Sequence, residues 1–243
     1  MLTSAGEELM RVAQRMENEV FGLNRELLGK DARLSGPLRL ATTDAIAVLH
    51  AADFADFVSE HPGVDLEVAV DVSMHNLSRR EADVVMRATN NPPEHLFGRR
   101  VAAMRWGPLA APSLVDRIGS GAPMSAWPWV CWDPRKGIYP ASAWLDRVAP
   151  DRRNVLTVDS DALLLEMVLN GTCAAFMISA NLVRHPSLCR IGPWRPELDF
   201  SLWLLTHPDL KDTARVRAFM DFMAPRAGAL HAPPDGESAD ECG

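Results

Sequence analysis

No apolar run in this 243-residue chain approaches the roughly 18 residues that a membrane-spanning helix requires. A secretory leader is missing as well, because Glu7, Glu8, Glu17 and Glu19 stand inside the N-terminal helical pattern. These absences predict a cytoplasmic protein. There is no basic run of five residues or more, and the net charge is −7 with a pI near 5.5. Such a balance argues against a chain that grips nucleic acid through its whole surface. The four cysteines (Cys131, Cys173, Cys189, Cys242) form no Cys-x-x-Cys pair and the seven histidines are scattered, so no metal site is expected.

Catalytic signatures are lacking too. The chain has no Gly-x-Ser-x-Gly elbow, no His-Glu-x-x-His and no phosphate-binding Gly-x-x-x-x-Gly-Lys-Ser/Thr loop. Gly119-Ser120-Gly121 reads as a turn rather than an anion cradle. Asp71, Ser73 and His75 lie close in sequence, but neighbours at a strand end rarely face one another. Neither an enzyme nor a cofactor is expected.

What is present begins with a helix. Apolar residues fall at Leu2, Ala5, Leu9, Val12, Met16, Val20, Leu23 and Leu27, in steps of 3, 4, 3, 4, 4, 3 and 4. That seam repeats about every 3.5 residues and needs a partner to bury it. Ser4 and Glu7 form a capping box at its start, and Gly29 supplies a stop.

Beyond a turn-rich linker, strand and helix patterns alternate: strand Leu38–Thr42, helix Asp44–His61, strand Val64–Val72, short helix Leu77–Ala82, strand Asp83–Arg87, and one or two strands within Leu96–Leu109. Residues 110–125 are rich in Ala, Pro, Ser and Gly and read as a crossing. A second set follows: strand Trp129–Trp132, helix Ser142–Val148, strand Val155–Val158, helix Asp161–Leu169, strand Cys173–Ile178, a helical turn at Asn181–His185, and strand Phe200–Thr206. The last helix is expected over Thr213–Met223. The order predicts two α/β lobes, with the chain crossing near 110 and returning near 207.

Polar residues at strand ends are the site candidates, because ligands of open α/β sheets bind beyond the carboxyl ends of strands, where helix N-termini present free N–H groups. Thr42, Thr43 and Ser160 each read either as helix caps or as hydroxyls facing a cleft. Asp44 and Asp161 read as caps. Arg87 reads as a cation for a carboxylate ligand or as a partner of Asp44 or Asp83. Trp132 reads as lobe core ahead of a ligand-stacking ring.

Several stretches resemble the LysR-type transcriptional regulators. Leu2-Thr3-Ser4-Ala5-Gly6-Glu7 is similar to the opening of that family's linker helix, and Leu34-Ser35-Gly36-Pro37-Leu38-Arg39-Leu40 to the start of its effector-binding domain. Phe57–Leu66 (FVSEHPGVDL) and Asn76–Arg87 (NLSRREADVVMR) resemble two further patterns, in the family's order and spacing.

The resemblance implies two Rossmann-like lobes resembling type 2 periplasmic binding proteins, preceded by a long linker helix. The expected division is a linker/dimerisation helix at 1–30, lobe I at 35–110 plus 207–225, lobe II at 111–206, and a disordered tail at 226–243. It implies a small-molecule effector between the lobes, contacted by Thr42 and Thr43, residues near Ser73, and Trp132 and Ser160, with Arg87 near the cleft. It also implies a homodimer or homotetramer through Leu9, Val12, Met16, Val20, Leu23 and Leu27. The hydroxyls and helix N-termini favour a small anion. The family's winged helix-turn-helix has no counterpart in this sequence, so DNA binding requires one supplied upstream or by a partner. The alternative is a stand-alone small-molecule binding module, or a dominant-negative partner lacking DNA binding.

Overall fold

The computed structural model describes Val12, Met16 and residues 34–70, 82–136 and 140–232. Strand β1 (Gly36–Thr42) buries Leu38, Leu40 and Thr42 at alternate positions, as a strand with one face on a core requires. Helix α1 (Asp44–Glu60) follows at once and turns Ile46, Leu49, His50, Phe54 and Phe57 inward. His61-Pro62-Gly63 ends it, because proline cannot continue the hydrogen-bond ladder. Strand β2 (Val64–Val70) then pairs in parallel with β1, and β3 (Val84–Ala88) pairs in parallel on the other side. Beyond β4 (Phe97–Met104), the chain enters β5 (Trp106–Ala110).

Helix α2 (Pro112–Ile118) leads to β6 (Pro128–Trp132), α3 (Pro140–Val148), β7 (Arg153–Val158) and α4 (Asp161–Leu169). Next come β8 (Ala175–Ile178), α5 (Ala180–Arg184), β9 (Cys189–Arg190), β10 (Phe200–Thr206) and α6 (Ala214–Leu230). The first sheet has the order β2-β1-β3-β10-β4, with β10 antiparallel to both neighbours. The second comprises antiparallel β8-β5-β9 and parallel β6-β7, joined by a bridge between Trp129 and Ala174.

The second lobe packs both faces of its sheet. Ala174, just before β8, and Phe176 on it join a core with Trp127, Trp129 and Trp144, whereas Ala175 and Met177 join Val158, Leu164 and Val168 on the opposite face. This two-residue alternation explains why the strand reads as unbroken apolar sequence.

Sheet membership corrects the expected crossings at 110 and 207. Strand β5 belongs to the second sheet and β10 to the first, so the chain crosses at Arg105 and again at Asp199. The two crossings are tied together by the Trp106 N–H, which donates to Asp199 Oδ1 at 3.1 Å, and the Ser179 N–H after β8 holds the Arg105 carbonyl at 2.9 Å. The stretch expected to cross instead contains α2, with proline in its first turn and Leu114 and Val115 buried.

The final helix also runs past Met223 to Leu230, although Pro225 lies inside it. A proline there costs about 3 kcal/mol. The inward stripe of Val216, Phe219, Met220 and Met223 continues through Ala227 and Leu230, and that packing carries the helix on. The tail expected from 226 therefore starts no earlier than His231.

Of the expected dimerisation residues, Val12 and Met16 are helical with 39% and 64% exposure, leaving their seam open to a partner. Leu9, Val20, Leu23 and Leu27 lie outside the described residues, as does the helix expected at Leu77–Ala82 except for Ala82.

Candidate functional site

A cavity of about 280 Å³ lies between the lobes, at the carboxyl ends of β1, β3, β6 and β7. Thr43, Asp44, Ile46 and Arg87 line it from lobe I; Cys131, Trp132, Leu145, Asp159, Asp161 and Leu164 line it from lobe II. Trp106 and Phe200, flanking the two crossings, contribute rings, as does Phe176. Strands that end at a common edge place their following residues there, which is why a cleft forms where two α/β sheets meet.

The two helices that begin at this cleft hold each other. Asp44, the first residue of α1, directs Oδ2 to the start of α4 in the other lobe. It accepts the Asp161 N–H at 2.7 Å, the Ala162 N–H at 3.4 Å and the Ser160 hydroxyl at 3.2 Å. The Asp161 carboxyl in turn lies beside the start of α1, where the Ala45 N–H favours its ionised form. Asp44 thus satisfies orphan N–H groups of the helix opposite.

Burial, followed by repulsion from the Asp44 carboxylate, raises Asp161 from 3.8 to about 7, against the opposing pull of the Ala45 N–H. A second tie closes the back of the cleft. Arg184 of α5 donates Nε–H to the Leu49 carbonyl at 3.0 Å and approaches Asp53 Oδ2 at 3.4 Å.

The expected contacts divide unevenly. Thr43, Arg87 and Trp132 line the cavity together. Thr43 is the N-cap residue of α1, yet its side chain makes no capping hydrogen bond. Thr42 is 4% exposed and donates its hydroxyl to the Met86 carbonyl at 2.9 Å, so that group is committed to the sheet. Ser160 caps α4 by accepting the Leu163 N–H, while its own proton goes to Asp44. Ser73 lies outside the described residues. Asp44 does cap a helix, but the one opposite rather than its own, and Asp161 lies beside the start of α1.

Sequence reasoning missed Trp106, Phe176 and Phe200 as cleft residues. Apolar residues at strand ends look identical to core until the strands are assigned to sheets. It also missed the reach of Asp44 to the opposite helix. The available signal was a hydroxyl-Asp pair opening a helix in each lobe, Thr43-Asp44 and Ser160-Asp161.

The sequence profile described as the LysR substrate binding domain matches residues 31–228. This chain belongs to that family. Solved structures agree in fold. The regulatory domain of CrgA, a LysR-type transcriptional regulator from Neisseria meningitidis, aligns with a TM-score of 0.64 at 17% identity, covering 79% of this chain and 98% of that one. The full-length Vibrio cholerae virulence activator AphB gives 0.64 at 16% identity, covering 91% and 79%. The reduced regulatory domain of OxyR2 from Vibrio vulnificus gives 0.59 at 18%, covering 83% and 98%. Comparison with curated proteins gave no match.

The two lobes of this LysR-type regulatory domain are therefore the effector-sensing architecture of the family, and the cavity lies where its sheets meet. Among the described residues, no helix is long and apolar enough to cross a membrane, and no cluster of three or more His, Cys, Asp or Glu side chains is arranged to hold a metal.

Proposed function

We propose that this chain is the effector-sensing and oligomerisation part of a cytoplasmic LysR-type transcriptional regulator, and that a small molecule bound in the interlobe cavity sets the angle between its lobes. The observation that carries this reading is the 280 Å³ cavity at the carboxyl ends of strands from both lobes, flanked by paired chain crossings. A ligand there touches both lobes at once. It shifts their arrangement by as much as it prefers one arrangement over the other, and no further. Pairing of the 1–30 helix along Leu9, Val12, Met16, Val20, Leu23 and Leu27, in a homodimer or homotetramer, would pass that angle to DNA-binding heads. The exposure of Val12 and Met16 supports this role.

The anion expected from the hydroxyls and helix N-termini loses its support. Asp44 already fills the N–H groups that open α4, the Asp161 carboxyl stands beside the start of α1, and Thr42 bonds Met86 instead.

Thermal unfolding against a panel of small metabolites tests the reading, with Ala141→Trp as the control that fills the cavity. A ligand at a hundred times its Kd stabilises by about 2.7 kcal/mol, or several degrees in Tm for a chain of this size. Compounds that raise Tm in the native chain should lose the effect in Ala141→Trp. Equal shifts in both proteins would place binding elsewhere.

A further inference from the structure

Resting on that reading of the cleft, we infer that the cavity takes an apolar ring-bearing molecule that is neutral or cationic, and that Asp44 and Asp161 are the specificity residues that refuse an anion. Helix N-termini are the usual anion sites of α/β folds, because unpaired N–H groups and the helix dipole converge there. Two such termini meet at this cleft: Asp44 fills that of α4, and Asp161 stands beside that of α1. The N–H groups of Asp161 and Ala162 point at Asp44 Oδ2, and the Ala45 N–H favours the ionised form of the Asp161 carboxyl. An incoming carboxylate would have to displace one of these side chains. The displaced group would remain in the wall of the same small cavity as a second negative charge.

The fixed charges point the same way. Among the described lining residues, Asp44, Asp159 and Asp161 stand against one cation, Arg87; Arg87 and Asp159 are each already engaged. Burial first, and the Asp44 carboxylate second, raise the Asp161 carboxyl to about 7, so a further negative charge beside it is disfavoured. A donor-bearing or cationic ligand relieves that repulsion, whereas an anion adds to it.

The rest of the wall favours rings. Trp106, Trp132, Phe176, Phe200 and Leu164 line the cavity, and the Thr43 hydroxyl, which makes no capping bond, is placed for a polar group. A dry apolar cavity of about 150 Å³ holds benzene. The 280 Å³ here accommodates one ring with a short polar arm. A protonated amine on that arm would find aromatic faces as well as carboxylates.

The test compares three probes of matched size on the full chain near neutral pH: phenethylamine, phenethyl alcohol and phenylacetate. Affinities are read by ligand-observed NMR and calorimetry, with Ala141→Trp to fix the place of binding. The amine and the alcohol should bind at least about tenfold more tightly than the acid. Asp161→Asn should narrow that gap, and so should Asp44→Asn. Phenylacetate binding as tightly as the amine, and lost in Ala141→Trp, would overturn the inference while leaving the cleft as the ligand site. Binding of the amine unaltered in Ala141→Trp, or no binding of any probe at millimolar concentration, would overturn both.

Discussion

The carboxyl of Asp161 makes a prediction that can be worked through in numbers. Its ordinary value is 3.8 and the folded chain raises it to about 7, because burial and the Asp44 carboxylate both oppose its ionisation. A folded-state value above the unfolded one means that the folded protein binds the extra proton throughout the window between them. Stability contributed by this group is therefore greatest at low pH, falls as pH rises from about 4 to about 7, and is constant above that. Each unit corresponds to about 1.36 kcal/mol, so between pH 5 and pH 8 the group removes about 3 kcal/mol from the stability of the native chain. Asp161→Asn offers N–H groups to Asp44 and does not titrate. Urea unfolding, followed by tryptophan fluorescence at pH 5 and pH 8, should show a variant more stable than the native chain at pH 8. The excess should shrink by about 3 kcal/mol at pH 5. Identical pH dependence in the two proteins would refute the argument, and so would a native chain that gains stability from this group as pH rises.

Three further outcomes follow from particular contacts. Thr42→Val removes the hydroxyl that meets the Met86 carbonyl and should cost about 1 kcal/mol in chemical denaturation while leaving probe affinity in the cleft unchanged. Gly98→Ala would place a Cβ 2.1 Å from the Leu204 carbonyl oxygen and 2.9 Å from the Leu205 Cα. Parting β4 from β10 should cost about 2–4 kcal/mol, measured by the urea midpoint. The third concerns a buried pair. His50 donates to Asp53 at 2.7 Å and meets His231 Nε2 at 3.3 Å, and burial, then the neighbouring His50, lowers His231 from 6.5 to about 4. The unfolded chain takes up that proton first, so the contribution of this group should fall by about 3 kcal/mol as pH drops from 6.5 to 4, read as the difference in pH dependence between the native chain and His231→Gln.

Much of the architecture was legible because it rests on local signals. The strand ending at Thr42, the helix stop at Pro62-Gly63 and, among the described residues, the strand-helix order all appear where the residues predict them. The boundaries that moved did so for tertiary reasons. Pro225 reads as a terminus, yet Ala227 and Leu230 find the first-lobe core and the helix continues. The crossings moved because residues 106–110 and 200–206 are apolar strands by any local criterion. Only their pairing partners, β8 and β9 for one and β3 and β4 for the other, decide which lobe each joins.

The candidate site divides the same way. Helix starts at Asp44 and Asp161, each preceded by a hydroxyl residue, are written in the chain, because capping chemistry acts over three or four residues. Family membership is likewise a property of the sequence, since residues 31–228 match the profile. That Asp44 would serve a helix of the opposite lobe that begins 117 positions away is not written there. Neither is the turning of the Thr42 hydroxyl into the sheet, nor the gathering of Trp106, Trp132 and Phe200 around one cavity. Hydrogen bonds and cavities of this kind exist only after two lobes have packed, and packing sums many weak contacts between residues distant in the chain. Local chemistry determined which groups stand at the ends of strands; the closing of one lobe on the other decided which of them a ligand can still reach.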